Sequence, residues 1–190
     1  MLIRFSTTAF DLPVDAPRSS LSPALQPAAA ARPIFPSMAE QILLNTLQAV
    51  NQSASFNRWA GFKVTHAAAG EAELRMDWRK DDMGQYSGYL HAGLIGAMLD
   101  TACGYAAATV AGRVLASHFS VNCLAPAVGR GFVARGHVVK AGRKQVFASA
   151  ELFAEQDNGE LLMVATGSAV LVPVEAKAQA DSSASGLRSP

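Results

Sequence analysis

Charge is sparse in this chain. Asp, Glu, Lys and Arg make up 16% of the 190 residues, and the formal net charge is +1. No stretch concentrates Lys and Arg with interleaved aromatics, which argues against a general nucleic-acid binder. Cysteine is scarce as well. The two present, Cys103 and Cys123, lack CxxC spacing and a partner set of histidines, so neither a disulfide framework nor a structural zinc is expected. Both sit in apolar runs, where free Cys acts as a small buried hydrophobe; a reducing cytoplasm suits them. The longest apolar runs are broken by Gly, Asp, Arg or Pro short of the ~20 residues a membrane span needs, so a soluble protein with no membrane partner is expected. Gly-rich phosphate loops of the nucleotide-binding kinds are missing too.

What is present is a 50% share of hydrophobic residues, enough at this length for one domain with its own core. Residues 1–37 differ from the rest. Pro13, Pro17, Pro23, Pro27, Pro33 and Pro36 punctuate Ser- and Ala-rich sequence that builds no regular element. Arg4 is accompanied by Asp11 and Asp15 and no apolar run follows, so a secretory signal is not expected. The reading is a disordered arm at 1–37, a domain at 38–174 and a disordered tail at 175–190.

Within the domain, Ile42, Leu43, Leu47 and Val50 recur at helical spacing. Strand-like segments follow at 62–66 and 72–78, then a polar loop with Asp81, Asp82, Gly84 and Gly88. An Ala-rich helix is predicted over 92–110, ended by Gly112, and four strands at 114–124, 131–140, 145–153 and 161–172. Their connections at 127–129, 142–144 and 157–159 are short and carry Gly, as antiparallel neighbours require. A single long helix has to be buried, and the concave face of an antiparallel sheet is its natural partner. The fold class is α+β.

The long helix carries the informative residue. Leu94, Ile95, Met98, Leu99 and Ala102 form an apolar stripe, while Gly93, Gly96, Asp100, Gly104 and Ala107 form a face of small residues around one acid. Glycine costs a helix about 1 kcal/mol against Ala, so a backbone or a ligand is expected to come close there. Asp100 is the sole charged residue from 92 to 112. A solvated face would hold several; a carboxylate among apolar neighbours is paired or does chemistry. His91 stands just before the helix, whose first N–H groups are unpaired and can stabilise a developing oxyanion. Nine residues, about 13 Å of helix, separate His91 from Asp100. A site shared between two subunits is one way to bring these groups together.

The run from Gln85 through His91-Ala92-Gly93 to Asp100-Thr101-Ala102 resembles the signature of the PaaI-type (phenylacetic-acid pathway) hotdog thioesterases: Asn/Gln, a Gly-containing turn, His-Gly-Gly, then Asp-Thr/Asn-Ala late in the helix. Ser120 to Pro126 resembles that family's strand ending in a Leu-x-Pro turn, and Ala141-Gly142-Arg143-Lys144 its Gly-Arg hairpin. The likeness covers residues 56–173. It implies a curved antiparallel sheet wrapped around one long central helix, subunits paired edge to edge as a homodimer or dimer of dimers, and hydrolysis of an acyl-CoA without metal or redox cofactor. Asp100 is then the base or nucleophile. The polarising amide falls on Ala92, a departure from Gly that still supplies an N–H, with Gly93 beside it. Gln85 orients water, His91 holds the loop next to the thioester, and Arg143 and Lys144 meet the CoA phosphates, with Arg113 and Arg130 as lesser candidates. Ser117 or His118 supplies a polar substrate contact. Phe56, Trp59, Phe62, Tyr86 and Tyr89 could line an acyl pocket, though core packing explains them equally well. The rivals are a hotdog hydratase or dehydratase, a non-catalytic acyl-CoA-binding hotdog protein, and a Cys103 nucleophile paired with His91.

Overall fold

A computed structural model describes residues 36–174; the arm at 1–35 and the tail at 175–190 lie outside the described residues. In chain order these residues form α1 (Met38–Ser53), α2 (Ser55–Ala60), β1 (Lys63–Ala68), β2 (Glu71–Asp77), α3 (Lys80–Met83), α4 (Ala92–Ala111), β3 (Val114–Cys123), β4 (Gly131–Ala141), β5 (Val146–Glu155) and β6 (Leu161–Pro173). Ser37, which the sequence reading put in the arm, belongs to the domain. It caps α1: its hydroxyl accepts the Glu40 N–H at 3.2 Å, while the Glu40 carboxylate accepts the Ser37 N–H at 2.6 Å. This reciprocal pair satisfies two of the orphan donors at the helix start.

The six strands make one antiparallel sheet in the order β1-β2-β4-β5-β6-β3, and α4 lies across all of them. This is the expected α+β architecture, with one difference in connection. β3 pairs with β6 (Phe119↔Ala169) and not with β4, which sits between β2 and β5. Residues 124–130 are therefore a crossing and not a hairpin. The Leu124 and Ala125 amides donate to the Val164 carbonyl, and the Arg130 amide donates to Glu155, so the crossing is pinned to β6 and β5 as it passes. β3 is left at the edge with Leu115 and Phe119 exposed at 64% and 50%.

By length and composition the 20-residue α4 is apolar enough to cross a membrane, against the expectation that its Gly and Asp residues would break it up. In this fold the sheet covers its apolar side: Leu94, Ile95, Met98, Leu99, Ala102 and Ala106 are all buried. Small inward residues let the two layers come close. On β5 the buried positions are Val146, Ala148, Ala150, Leu152 and Ala154, alternating as a strand with one face on the core must.

The tightest approach comes from the sheet and not from the helix glycines. A Cβ built on Gly136 of β4 would stand 2.3 Å from the Ala102 carbonyl oxygen, and one on Gly167 of β6 would stand 3.0 Å from the Ser120 oxygen and 3.2 Å from Leu99 Cβ. On α4 itself a Cβ at Gly96 or Gly104 would meet nothing nearer than 3.6 Å and 3.9 Å. Of the two alternatives expected at the helix glycines, a close backbone or a close ligand, no other element's backbone stands against Gly96 or Gly104. Gly136→Ala should lower stability by at least ~1–3 kcal/mol, the range for overpacking, because the obstacle is backbone and cannot rotate away. Gly96→Ala should be near neutral. Urea denaturation of the two variants measures the difference.

Candidate active site

Asp100 lies midway along α4. Its carboxylate is half-buried, and Oδ1 is fully enclosed with no hydrogen-bond partner. Burial pushes its carboxyl above the ordinary range, because the charged form is poorly solvated there. Cys103 is buried less than one turn further on. Burial, with the neighbouring Asp100 charge, pushes its thiol up to about 12, so it holds almost no thiolate at neutral pH and the Cys103 nucleophile falls away.

Asp100 lines a cavity of about 600 Å³ whose walls include Leu43 and Leu47 of α1, Gly104 and Ala108 of α4, and Leu115 of β3. The cavity exists because α1 packs on β1 and leaves a gap towards α4. A polar strut, missed in the sequence, spans the gap. Tyr105 Oη donates to Asn51 Oδ1 at 3.2 Å, and Asn57 Nδ2 donates to Asn51 Oδ1 and Tyr105 Oη, each at 3.0 Å. Asn51 Nδ2 in turn donates to the Phe62 carbonyl at 2.7 Å. The signal available was a pair of asparagines on short helices with no cap to serve; their partner, Tyr105, is 48 residues from Asn57, which no local pattern links.

The amino-terminal end of α4 is built by a tight turn. The Gln85 N–H donates to Tyr89 O, the Gly88 N–H to Gln85 O and the Ser87 N–H to Gln85 Oε1, all at 2.8 Å. This leaves the Gln85 Nε2 donor outside the turn. His91 is the N-cap, and its Nδ1 accepts the Gly93 N–H at 2.9 Å. The ring folds back because Gly93 has no side chain; a Cβ there would stand 3.1 Å from Nδ1. Of the two amides proposed as oxyanion donors, Gly93 is therefore already engaged. Ala92, the first residue of the helix and exposed, has an N–H with no acceptor inside the helix.

Around this end, Phe56 and Trp59 line a hollow of about 360 Å³ with His91 and Gly93. Tyr86 and Tyr89 line another of about 530 Å³ with Gln85 and Ala92. Phe62, offered as a pocket aromatic, is instead buried in the core. Within one chain, Asp100 shares none of these described hollows with Gln85, His91, Ala92 or Gly93.

The remaining candidates scatter. Arg143 and Lys144 are exposed on the β4–β5 turn, closed by the Gly142 N–H on Gln145 O at 2.9 Å. Arg113 lines the rim of the Asp100 cavity, whereas Arg130 is ion-paired with Glu155 and so is already engaged. Ser117 is the extra residue of a β-bulge in β3, and its hydroxyl donates to Val170 O at 3.1 Å. His118 is exposed beside it, and neither lines the Asp100 cavity. Among the described residues no three His, Cys, Asp or Glu side chains converge as a metal site would need.

A six-stranded antiparallel sheet around a single long helix, here carrying a half-buried acid, is the architecture of a hotdog-fold protein. A model of the thioesterase superfamily matches residues 87–160, which run from the turn before α4 through Asp100 to the end of the β5–β6 turn. A thioesterase family protein from Silicibacter pomeroyi is 33% identical over 68% of this chain and 96% of its own, with a TM-score of 0.65. The PaaI protein of the E. coli phenylacetic acid degradation operon shares the fold at 17% identity over 72% of this chain and 96% of its own, TM-score 0.64. Zebra fish thioesterase superfamily member 2 does so at 22% over 69% and 98%, TM-score 0.60. No curated protein matches by sequence. The chain belongs to the thioesterase superfamily.

The raised pKa of Asp100 makes a prediction about stability. A carboxyl raised on folding contributes stability that is fully present below its unfolded value, ~3.9, and lost as pH rises through the folded value. Asp100→Asn should therefore melt higher than wild type near neutral pH, and the gap should close as the pH is lowered below the usual carboxylate range. A neutral-pH melt in which wild type is the more stable would mean that Asp100 has a stabilising partner.

Proposed function

We propose that this protein hydrolyses an acyl-CoA thioester at sites built from two copies of the chain. The observation that carries this reading is Asp100, an acid with Oδ1 enclosed and unpaired on the wall of a cavity of about 600 Å³. Nothing in the fold accounts for a carboxylate kept there at a cost in stability; a poised base or nucleophile does.

In the reaction, the thioester carbonyl oxygen lies on the Ala92 N–H at the positive end of α4, where the charge of the tetrahedral intermediate is stabilised. Asp100 takes a proton from a water held by Gln85, the hydroxide adds to the carbonyl carbon, and collapse expels CoA as a thiolate that recovers the proton. Alternatively Asp100 attacks directly, giving a mixed anhydride that water then opens. Either course needs Asp100 and Ala92 at one carbonyl. They are eight residues apart, about 12 Å of helix, and line separate hollows in one chain. A second copy paired along β3 would cover the exposed Leu115 and Phe119 and bring its own Gln85 and Ala92 to Asp100. Arg143 and Lys144, exposed and without ion-pair partners among the described residues, suit the CoA phosphates. The free thiols Cys103 and Cys123 suit a reducing cytoplasm.

Asp100→Asn and Asp100→Ala should lower turnover of the best acyl-CoA at least ~10²-fold, the scale of a lost acid–base group, with the fold intact. Unchanged hydrolysis by a folded Asp100→Ala protein would remove Asp100 from the mechanism. The shared site is tested by mixing inactive Asp100→Ala with inactive Gln85→Ala. Each mixed dimer holds one site free of both lesions, so free exchange should restore roughly a quarter of the wild-type rate. Proven exchange with no rescue would show that each site is built within one chain.

A further inference from the structure

We infer that the gap between α1 and α4 is the acyl pocket of the reaction proposed above, that it takes an unbranched aliphatic acyl chain of medium length, and that Gly104 determines which lengths fit. Three observations lead there.

The first is that the fold does not need a glycine at position 104. A side chain there would find its nearest neighbour, Leu171 Cδ2, at 3.9 Å, an ordinary contact distance, whereas Gly136 and Gly167 are hemmed in by backbone or core atoms. Glycine mid-helix is unfavourable by about 1 kcal/mol relative to alanine. What Gly104 provides is room on the cavity side, and it lies one turn beyond Asp100, with Ala108 a turn further along the same stripe.

The second concerns the polar atoms of the cavity wall, most of which are already engaged. The Thr46 hydroxyl donates to Ile42 O, Ser53 to Val50 O and Thr109 to Ala106 O, each near 2.7–2.8 Å. Tyr105 and Asn57 bond to Asn51 and to each other. Asp100 and Thr101 at one end and Arg113 at the exposed rim are the lining groups left over. A pantetheine arm would bring amides needing partners into this space and find few. An alkyl chain needs none.

The third is size. From Asp100 to Ala108 is about 12 Å along the helix. A staggered carbon chain with bonds of about 1.5 Å advances roughly 1.3 Å per carbon, so about 8 to 10 carbons reach from the acid to the far end. A cavity of about 600 Å³ is in the range of small-molecule sites.

The test measures kcat/KM against straight-chain acyl-CoAs from acetyl to palmitoyl, with phenylacetyl-CoA as the aryl arm, for wild type, Gly104→Leu and Ala108→Leu. Gly104→Ala, expected to melt no lower than wild type, checks that the position tolerates a side chain. Wild type should prefer octanoyl or decanoyl. Gly104→Leu should lower the decanoyl-to-butyryl ratio of kcat/KM at least tenfold, and Ala108→Leu should lower it less, being further from Asp100; if one leucine variant fails to fold, the other carries the test. An unchanged ratio in the folded variants would overturn the inference. So would an equal rise in KM for every chain length, which would put pantetheine in the cavity, or a wild-type preference for the aryl thioester. If wild type hydrolyses no thioester, the proposed reaction fails and the pocket is judged by binding alone: decanoic acid should raise the wild-type Tm and not that of Gly104→Leu. A shift equal in both would dispose of the pocket as well.

Discussion

The rest of the structure follows from how closely α4 lies on the sheet. At Gly136 the strand backbone is so near the helix backbone that a single added carbon would meet the Ala102 carbonyl at 2.3 Å. A helix held at that distance has little room to rotate or slide, since Ala102, Ala106 and Ala107 of α4 and Ala148, Ala150 and Ala154 of β5 are all buried. The position of Asp100 on the helix is fixed by the same constraint. Because Ala102 and Ala106 face the middle of the sheet, positions 100, 104 and 108 lie on the flank of α4, beside β3 and β6 on the cavity wall. The sheet covers that flank only in part, and α1, which packs on β1, covers the rest at a distance.

The polar groups divide into two populations. Around the cavity, hydroxyls and amides are tied to carbonyls and to one another, so the walls behave as apolar surface although Thr, Ser, Asn and Tyr compose part of them. The strut from Tyr105 through Asn57 to Asn51 also joins α4 to α1 and α2 across the gap, a hydrogen-bonded network of the kind that sets a separation between elements. Thr101 and Arg113 are left over from this pattern, and so, fully enclosed at one oxygen, is Asp100. Its Oδ1 is enclosed without a donor, and its elevated pKa is the electrostatic signature of that omission. A group that destabilises the folded state in this way is what a site of chemistry requires and what a purely structural helix would avoid.

Much of this was legible in the sequence, and the reasons are specific. Helix α4 could be placed to within a residue because Gly112 ends it and the apolar period is unbroken; Asp100 stood out because no other charge accompanies it. The strands could be placed because Gly-bearing turns separate alternating runs. Strand order could not. The short Gly-bearing link at 127–129 has the composition of a hairpin, and only the bonds of Leu124 and Ala125 to Val164 reveal that it crosses β6 instead. The two alternatives at the helix glycines stayed open for a similar reason: a glycine vacated for packing and one vacated for space look alike until the neighbours are known. Nor could the sequence show that the Gly93 amide is taken by its own N-cap, which depends on the χ angles of His91.

That last detail narrows the chemistry. With Gly93 engaged, the positive end of α4 offers one outward donor, the Ala92 N–H, in an exposed setting where a single hydrogen bond is weakened by water. An isolated chain would therefore polarise a carbonyl poorly, and Asp100 lies about 12 Å further along the helix. Both deficits have the same remedy. Covering the helix end with a second copy excludes water from the Ala92 amide, and pairing along β3 buries an edge that presents Leu115 and Phe119 to solvent. In the proposed two-copy arrangement oligomerisation and catalysis would draw on one surface, so the apolar side chains that make the edge adhesive would also lower the dielectric around the reacting carbonyl.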